Sequence, residues 1–443
     1  MATAITAWCV GLLILTGVAA TAAEPIIFRG DPARCGWDGQ PLGQELRPLW
    51  TWRHEDAAVW SSPLVCAGRV YVSITLPDAP RSSGAIACLD ATTGRQLWFN
   101  PYQDAQRRSE FTGIYSSPAI SADRTVLVVG QGFHPDHNCA LVCLSTADGS
   151  FRWRVPTPLH IESSPAIADG LVAVGVGAIE QGPERKPRGP LDGRGNPGYL
   201  LVVRLADGAE VFRHPLADVE CAPAIADGVI YAGAGLNGNA VVALRTGTSA
   251  ELRTVGLPRE RWRSPTPLPV TSDVTLTADL VLVGCGSGAM DDQRVAADGW
   301  LLAFNRADGR ERGRLRLQNS VFGSIAVRGR VAIVTNQSGE VVAVDLDRLL
   351  AGADPVRWRS VPGNDEAIYA GVAWLPGRIL VTGARGHLSV LDEVTGALGQ
   401  RLPLNDLNQL GRIYGTSAPT IAAGRVYVGS ETGGLRCFVG VDR

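Results

Sequence analysis

One short cassette recurs along the chain, and such a recurrence can be housed only by stacking copies of a small unit. It reads SSPLVCAG at 61–68, SSPAISAD at 116–123, SSPAIADG at 163–170, CAPAIADG at 221–228 and SAPTIAAG at 417–424. Taking its proline position as a marker gives Pro63, Pro118, Pro165, Pro223, Pro265, Ser324, Val372 and Pro419. The mean spacing is about 51 residues, the size of one four-stranded propeller blade.

Each unit has the same internal order. An apolar run follows the marker, then a turn, then a β-rich strand such as GRVYVSI at 68–74 or GRILVTG at 377–383. A loop leads to a third strand (IACLD, LVCLS, LLVVRL, AVVALR, LLAFN, VVAVD), and a tight ATTG, ADG or VTG turn leads to a fourth. These turn residues tolerate the left-handed conformation that a hairpin needs. Trp98, Trp153 or Phe212 stands four residues after the turn glycine, whereas units four, five and seven show no such tryptophan. A four-stranded meander cannot bury both of its faces alone, so copies must stack. A chain of 443 residues also exceeds the roughly 250–300 at which single cores stop growing.

The ends predict closure. The last unit stops after its third strand, and LRPLWTWRHE at 46–55 supplies the missing one. Trp52 precedes Pro63 by the same eleven residues by which Phe212 precedes Pro223, which aligns WTWRH with EVFRH. The expectation is an all-β, eight-bladed β-propeller of four-stranded antiparallel blades, the last closed by the N-terminal strand, spanning residues 46–443.

Residues 1–23 read as a secretory signal, an apolar run from Ala7 to Ala20 followed by small residues, and 24–45 as an N-terminal segment. The run is short for a membrane span, and no cysteine stands at the cleavage point to carry a lipid. The expected location is exported, periplasmic or extracellular. Eight cysteines would remain, of which Cys88, Cys143 and Cys437 occupy one site in three units where other units have Ala243, Ala303 and Ala343. That pattern predicts buried small thiols more than disulfides. A net charge of −2, with Lys186 the single lysine, gives no electrostatic case for nucleic acid.

IACLDATTGRQLW at 86–98 and LVCLSTADGSFRW at 141–153, with the Gly-x-Val-Tyr-Val strands before them, resemble the pyrroloquinoline-quinone (PQQ) repeat family of eight-bladed propellers. The chain is similar to the cofactor-free outer-membrane β-barrel assembly lipoproteins more than to the quinoprotein dehydrogenases. The dehydrogenase branch would imply PQQ clamped between a tryptophan and adjacent cysteines, with calcium held by Glu, Asn and Asp. This sequence has no adjacent cysteine pair.

In a meander the strand-one lead-ins and the loops joining strands two and three share one face. The long insertions fall there, at 75–85, 130–138, about 175–199 and 285–299, as do all six histidines. Loops on a rigid scaffold are where binding residues concentrate. Residues two or three before the marker should ring the axial mouth: Trp60, Tyr115, Glu162, Glu220, Arg263, Tyr369 and Thr416. The sharpest cluster joins His134, Asp136 and His137 to His160 and Glu162. Imidazoles and carboxylates suit a divalent metal, yet no helical ligand spacing supports one, so an ordinary polar loop is expected and no cofactor. The reading is a monomeric, non-enzymatic binding scaffold of the cell envelope, taking an envelope protein or extracellular ligand on its variable face. The alternatives are a PQQ- and calcium-dependent dehydrogenase of alcohols or sugars, and glycan or peptide recognition aided by Trp60 and Tyr115.

Overall fold

Four of the five cassette turns reverse the chain in two residues. Ala67 and Gly68, Asp169 and Gly170, Asp227 and Gly228, and Ala423 and Gly424 all have positive φ, the geometry whose twist matches the flanking strands. In the computed structural model, which describes residues 30, 42–76, 83–101, 111–133, 139–177, 180–181, 186–187, 198–288, 298–363, 366–406 and 415–442, these hairpins open four of eight four-stranded antiparallel sheets. Blade one comprises Leu64–Cys66, Arg69–Leu76, Ser83–Asp90 and Gln96–Asn100. Blade eight comprises Thr420–Ala422, Arg425–Ser430, Gly434–Val441 and, as its outer strand, Glu45–Trp52 from the N-terminal end.

Alternation along the strands supplies the core. Val70, Val72 and Ile74 enter the seam with blade eight, while Tyr71 enters the seam with blade two. Every seam between neighbouring blades holds one apolar cluster of this kind. The seven cysteines among the described residues are all buried, and all but Cys139 belong to these seam clusters; Cys35 lies outside the described residues. Burial pushes the thiols of Cys143, Cys221, Cys285 and Cys437 up to about 12, which makes them packing groups rather than nucleophiles.

The cassette serines knit the inner wall. The first serine of each pair accepts the backbone N–H of a residue in its own second strand: Ser61 from Ser73, Ser163 from Gly175, Ser272 from Gly284 and Ser417 from Gly429, at 2.7–3.1 Å. The second serine accepts from the preceding blade. Ala418 N–H bonds Ser62 Oγ at 2.8 Å, Ser62 N–H bonds Ser117 Oγ at 2.9 Å, and Ser117 N–H bonds Ser164 Oγ at 3.0 Å. In blade five Asp273 takes this role, accepting Ala222 N–H at 2.7 Å and the Ser324 hydroxyl.

That pattern corrects the marker series. Position 265 is not a strand-one lead-in: Pro265 ends the outer strand of blade four, Glu260–Pro265, and the inner strand of blade five is Thr275–Leu276. The true markers are Val274 in blade five and Ile325 in blade six. A second correction follows. Blade four does carry an outer tryptophan, Trp262, displaced along the sequence because a short helix, Ser249–Thr254, lengthens its third-to-fourth connection. Blades five and seven have none in their outer strands, Glu311–Gln318 and Leu398–Pro403.

The closing strand is also shifted by two residues from the expected register. Cys88 pairs with Trp98 and Cys143 with Trp153, and the equivalent Cys437 pairs with Trp50 rather than Trp52. Counting back from the next marker fails because the links between blades vary in length; counting from the partner strand does not. Each outer strand has a bulge beside this position, at Leu49 in the closing strand. The ring join is reinforced from blade seven, where the Gln400 amide donates to Leu46 O at 2.8 Å and accepts Leu46 N–H at 3.0 Å.

Tryptophans lock successive blades. Trp50, Trp98, Trp153, Trp262 and Trp358 each donate Nε1–H to a turn carbonyl of the following blade, on Ala91, Thr146, Leu205, Arg306 and Glu393, at 2.8–3.3 Å. The turn glycine beneath each ring, Gly94, Gly149, Gly208, Gly309 or Gly396, has positive φ, and a Cβ there would come within 2.5–2.9 Å of the indole.

Candidate functional site at the axial mouth

The corrected markers define one ring. Three residues before each inner-strand marker stand Trp60, Tyr115, Glu162, Glu220, Thr271, Phe322, Tyr369 and Thr416, one per blade. Contacts run between them. Thr416 Oγ1 donates to Trp60 O at 3.1 Å, and Phe322 meets Tyr369 edge-on at 5.5 Å. Tyr115 hydrogen-bonds the Thr416 side chain and feels the charges of Glu162 and Glu220. Burial drives its phenol well above the ordinary range; the Thr416 bond opposes this, and Glu162, Glu220 and Tyr369 add to it.

Arg263 does not belong to this ring. It was placed there by the Pro265 marker, but it lies on the outer strand of blade four, where its Nη2 pairs Glu260 Oε2 at 2.9 Å. His214 Nε2 joins the same carboxylate at 3.3 Å, and burial, the largest influence, lowers the imidazole's pKa. Thr271 and Phe322 occupy the positions that the mis-set markers had hidden.

His160 is fully buried behind the ring. Its Nε2 lies 3.5 Å from Glu220 Oε1, so it links blades three and four. Gly177 covers it, its N–H donating to His160 O at 3.2 Å, and a Cβ on Gly177 would come within 2.6 Å of Nε2. His134, Asp136 and His137 lie outside the described residues, so their convergence with His160 and Glu162 is not part of the described site.

Two neighbours of the ring were not singled out from sequence. Phe133 stands edge-on to Trp60 at 5.5 Å and to Tyr115 at 6.4 Å, over Gly113, which has no room for a side chain. Gln131 is buried at 1% exposure, and neither atom of its side-chain amide has a hydrogen-bond partner among the described residues. Trp60 Nε1 is likewise buried and unpartnered. A lone glutamine before a loop carries no sequence signal; burial alone reveals it.

A second charged group sits on the same face. Glu366 is buried at 7% exposure and bonds Arg401 Nη2 at 2.6 Å, His387 Nδ1 at 3.2 Å and Arg385 N–H at 2.9 Å. Burial works to raise its carboxyl, yet the His387 and Arg401 bonds hold it below the ordinary carboxylate value.

The mouth therefore offers aromatic faces, two carboxylates and an orphaned amide. Among the described residues no three His, Cys, Asp or Glu side chains converge to hold a metal. Asp273, one residue before the blade-five marker, spends both oxygens on Ala222 and Ser324. With Trp60 met edge-on by Phe133 and no adjacent cysteines in the sequence, these residues do not fit a calcium-clamped quinone. No helix among the described residues is long and apolar enough to cross a membrane.

A family model described as outer membrane protein assembly factor BamB matches residues 82–179, from the third strand of blade one to the second strand of blade three. No curated protein matches the chain. Among solved structures, BamB from Moraxella catarrhalis is 15% identical with a TM-score of 0.62, covering 89% of this chain and 100% of its own. The quinohemoprotein alcohol dehydrogenase from Comamonas testosteroni is 14% identical with a TM-score of 0.66, covering 96% and 82%. The computationally designed Ika8 protein is 14% identical with a TM-score of 0.61, covering 89% and 99%. Such identities establish the shared fold alone. The chain is an eight-bladed propeller that resembles the PQQ-repeat family, and its BamB-like stretch spans the two seams around blade two.

Proposed function

We propose that the protein is an exported, non-enzymatic binding scaffold of the cell envelope that engages a partner through its loop face and axial mouth. The observation that carries this reading is the ring from Trp60 to Thr416, which gathers aromatic and carboxylate side chains at the one place where all eight blades meet. Aromatic groups with a polar tip are the usual anchors of recognition surfaces. The match to the BamB family model supports an envelope setting.

The test is site-specific photo-crosslinking in cells. A crosslinker at Thr416, on the mouth, should trap a defined envelope protein. The same group at Val394, in an exposed turn on the opposite face, should not. Equal trapping from both positions, or none from the mouth, would overturn the reading.

A further inference from the structure

We infer that the sector of the mouth over the seam between blades one and two receives a neutral carboxamide, an asparagine or glutamine side chain on a loop of the protein partner. This rests on the reading of the mouth as a partner site and names the chemistry that it selects.

The repeat fixes which residues meet there. In blades one to seven the mouth end of the second strand donates one N–H to the lead-in of its own blade, as Thr75 does to Ala58 O at 3.0 Å, Gly132 to Gly113 O at 2.9 Å and Ala384 to Ala367 O at 2.7 Å. The residues just before each such pair, Gln131 and Thr112 in blade two, therefore have counterparts in the other blades. Ile74 with Ala57, Val176 with Leu159 and Cys285 with Leu268 are apolar pairs, each within one seam cluster. In blade seven a Cβ on Gly383 would collide with the Glu366 carboxyl, so the two positions touch. Polar counterparts are spent locally: Asn336 Nδ2 donates to Glu340 Oε2 at 2.7 Å, and Glu366 Oε2 accepts from Arg401 at 2.6 Å. Among the described residues, blade two alone fills the pair with polar groups and leaves them without partners.

Gln131 N–H bonds Ala140 O at 3.1 Å, which extends the ladder of Val126–Gly130 by one residue. Gln131 thus stays on the face of Leu127 and Val129, in the seam with blade one. Neither atom of its amide has a partner, and neither has Thr112 Oγ1. Trp60 Nε1 shares that condition; its ring meets Phe133, which lies against Gly113, the neighbour of Thr112. A fourth residue, Ser73, stands deeper on the strand face of Tyr71 and Thr75, toward the same seam, with its hydroxyl unpartnered. Elsewhere such groups stand singly, as at Asn239, Thr382 and Arg425. A buried polar group without a partner forfeits its hydrogen bonds to water, so four gathered at one seam point to a bound group.

Charge and geometry choose that group. None of the four side chains is charged, which favours an uncharged ligand. The Gln131 amide presents C=O and N–H side by side on one edge. A second primary amide matches that edge with two hydrogen bonds at once, whereas the N–H and C=O of a trans peptide group point apart. Trp60 Nε1–H and the Thr112 hydroxyl remain for the backbone that carries the amide. Trp60, Thr112 and Phe133 are half-buried, so the niche opens on the mouth.

Calorimetric titration of the full-length protein tests this with acetyl-Gly-Gln-Gly-N-methylamide, its asparagine analogue, and the side-chain N,N-dimethylated form of each. Dimethylation keeps the carbonyl and removes the side-chain N–H groups. The better peptide should bind about tenfold more tightly than its dimethylated form, as expected when one hydrogen bond to a buried amide is lost. Gln131→Leu should erase that difference. In the unliganded protein it should also raise the melting temperature, because it removes the unpartnered amide and extends the apolar face of Leu127 and Val129. Equal affinity of each peptide and its dimethylated form, a difference that survives Gln131→Leu, no saturable binding, or a Gln131→Leu protein less stable than the parent would overturn the inference. If Thr416 traps a partner while no peptide is selected, the scaffold reading stands and this inference falls. Selective peptide binding without any trapped partner would uphold the carboxamide niche and remove the envelope role.

Discussion

Small polar groups set the spacing of the blades. Ser117 Oγ receives the Ser62 N–H of the preceding blade in a wall where both residues are buried. Ser117→Ala leaves that N–H without its acceptor, and chemical denaturation should show a loss of about 1–3 kcal/mol. Glu366 sets the acid limit of blade seven. Its folded carboxyl lies below the ordinary value, so the folded state binds fewer protons there than the unfolded chain. Its contribution is fully present above the unfolded carboxyl value, about 4.3, and fades as pH falls through the lower folded value. Glu366→Gln should therefore lower stability at neutral pH and flatten the acid limb of a stability–pH curve. An unchanged acid limb would mean that the His387 and Arg401 bonds do not govern it.

At the scale of elements, the strands and two-residue turns were legible because their signals are local: alternation, Asp-Gly and Ala-Gly pairs, and Ser-Pro lead-ins. What was misread depended on connection length. The helix Ser249–Thr254 moved Trp262 out of its usual place after the turn, and that shift let Pro265 pass for a marker and carried Arg263 into the wrong ring. The closing strand was found but set two residues out, because Trp50 is defined by Cys437 across the sheet and not by the following blade. Most of the mouth could be read once the markers were right; Gln131 could not, because only packing reveals an unpartnered amide. The closing strand also carries a prediction. Deleting residues 46–54 exposes the edge of Gly434–Val441 and opens the seam filled by Trp52 and Tyr427. Calorimetry should show a sharply lower melting temperature, partly restored by adding a peptide of residues 45–54. The milder Gln400→Ala should lower it by a smaller amount, since it removes only the clamp on Leu46.

At the scale of the whole molecule, eight four-stranded blades form a ring closed by the N-terminal strand. Four of its outer strands, which are sheet edges, alternate arginine with other residues: FRWRVPT at 151–157, ERWRSP at 260–265, ERGRLRLQ at 311–318 and VRWRS at 356–360. Such charges discourage edge-to-edge pairing. The fold is shared with a dehydrogenase, so the discriminating measurement is made on the intact protein. PQQ with calcium should produce neither saturable quinone absorbance nor dye reduction with alcohols or aldose sugars. Turnover with either would overturn the scaffold reading.

The tryptophan joins have a consequence for how far the repeats are interchangeable. Every blade whose third-to-fourth link is a tight glycine turn is preceded by one that offers an indole. The three exceptions are complementary in another way. Phe212 meets Arg259 beside the helix of blade four at 3.7 Å, Gly313 leaves room for Leu349 in the helix Leu346–Leu350, and Gln400 grips the joined chain ends. Neighbours are therefore keyed to one another, like sectors of a combination lock. Although the architecture repeats eight times, blades three and four, five and six, and seven and eight fit each other only in that order, so a swap of blades four and five should fail to close while a circular permutation that keeps the order should not.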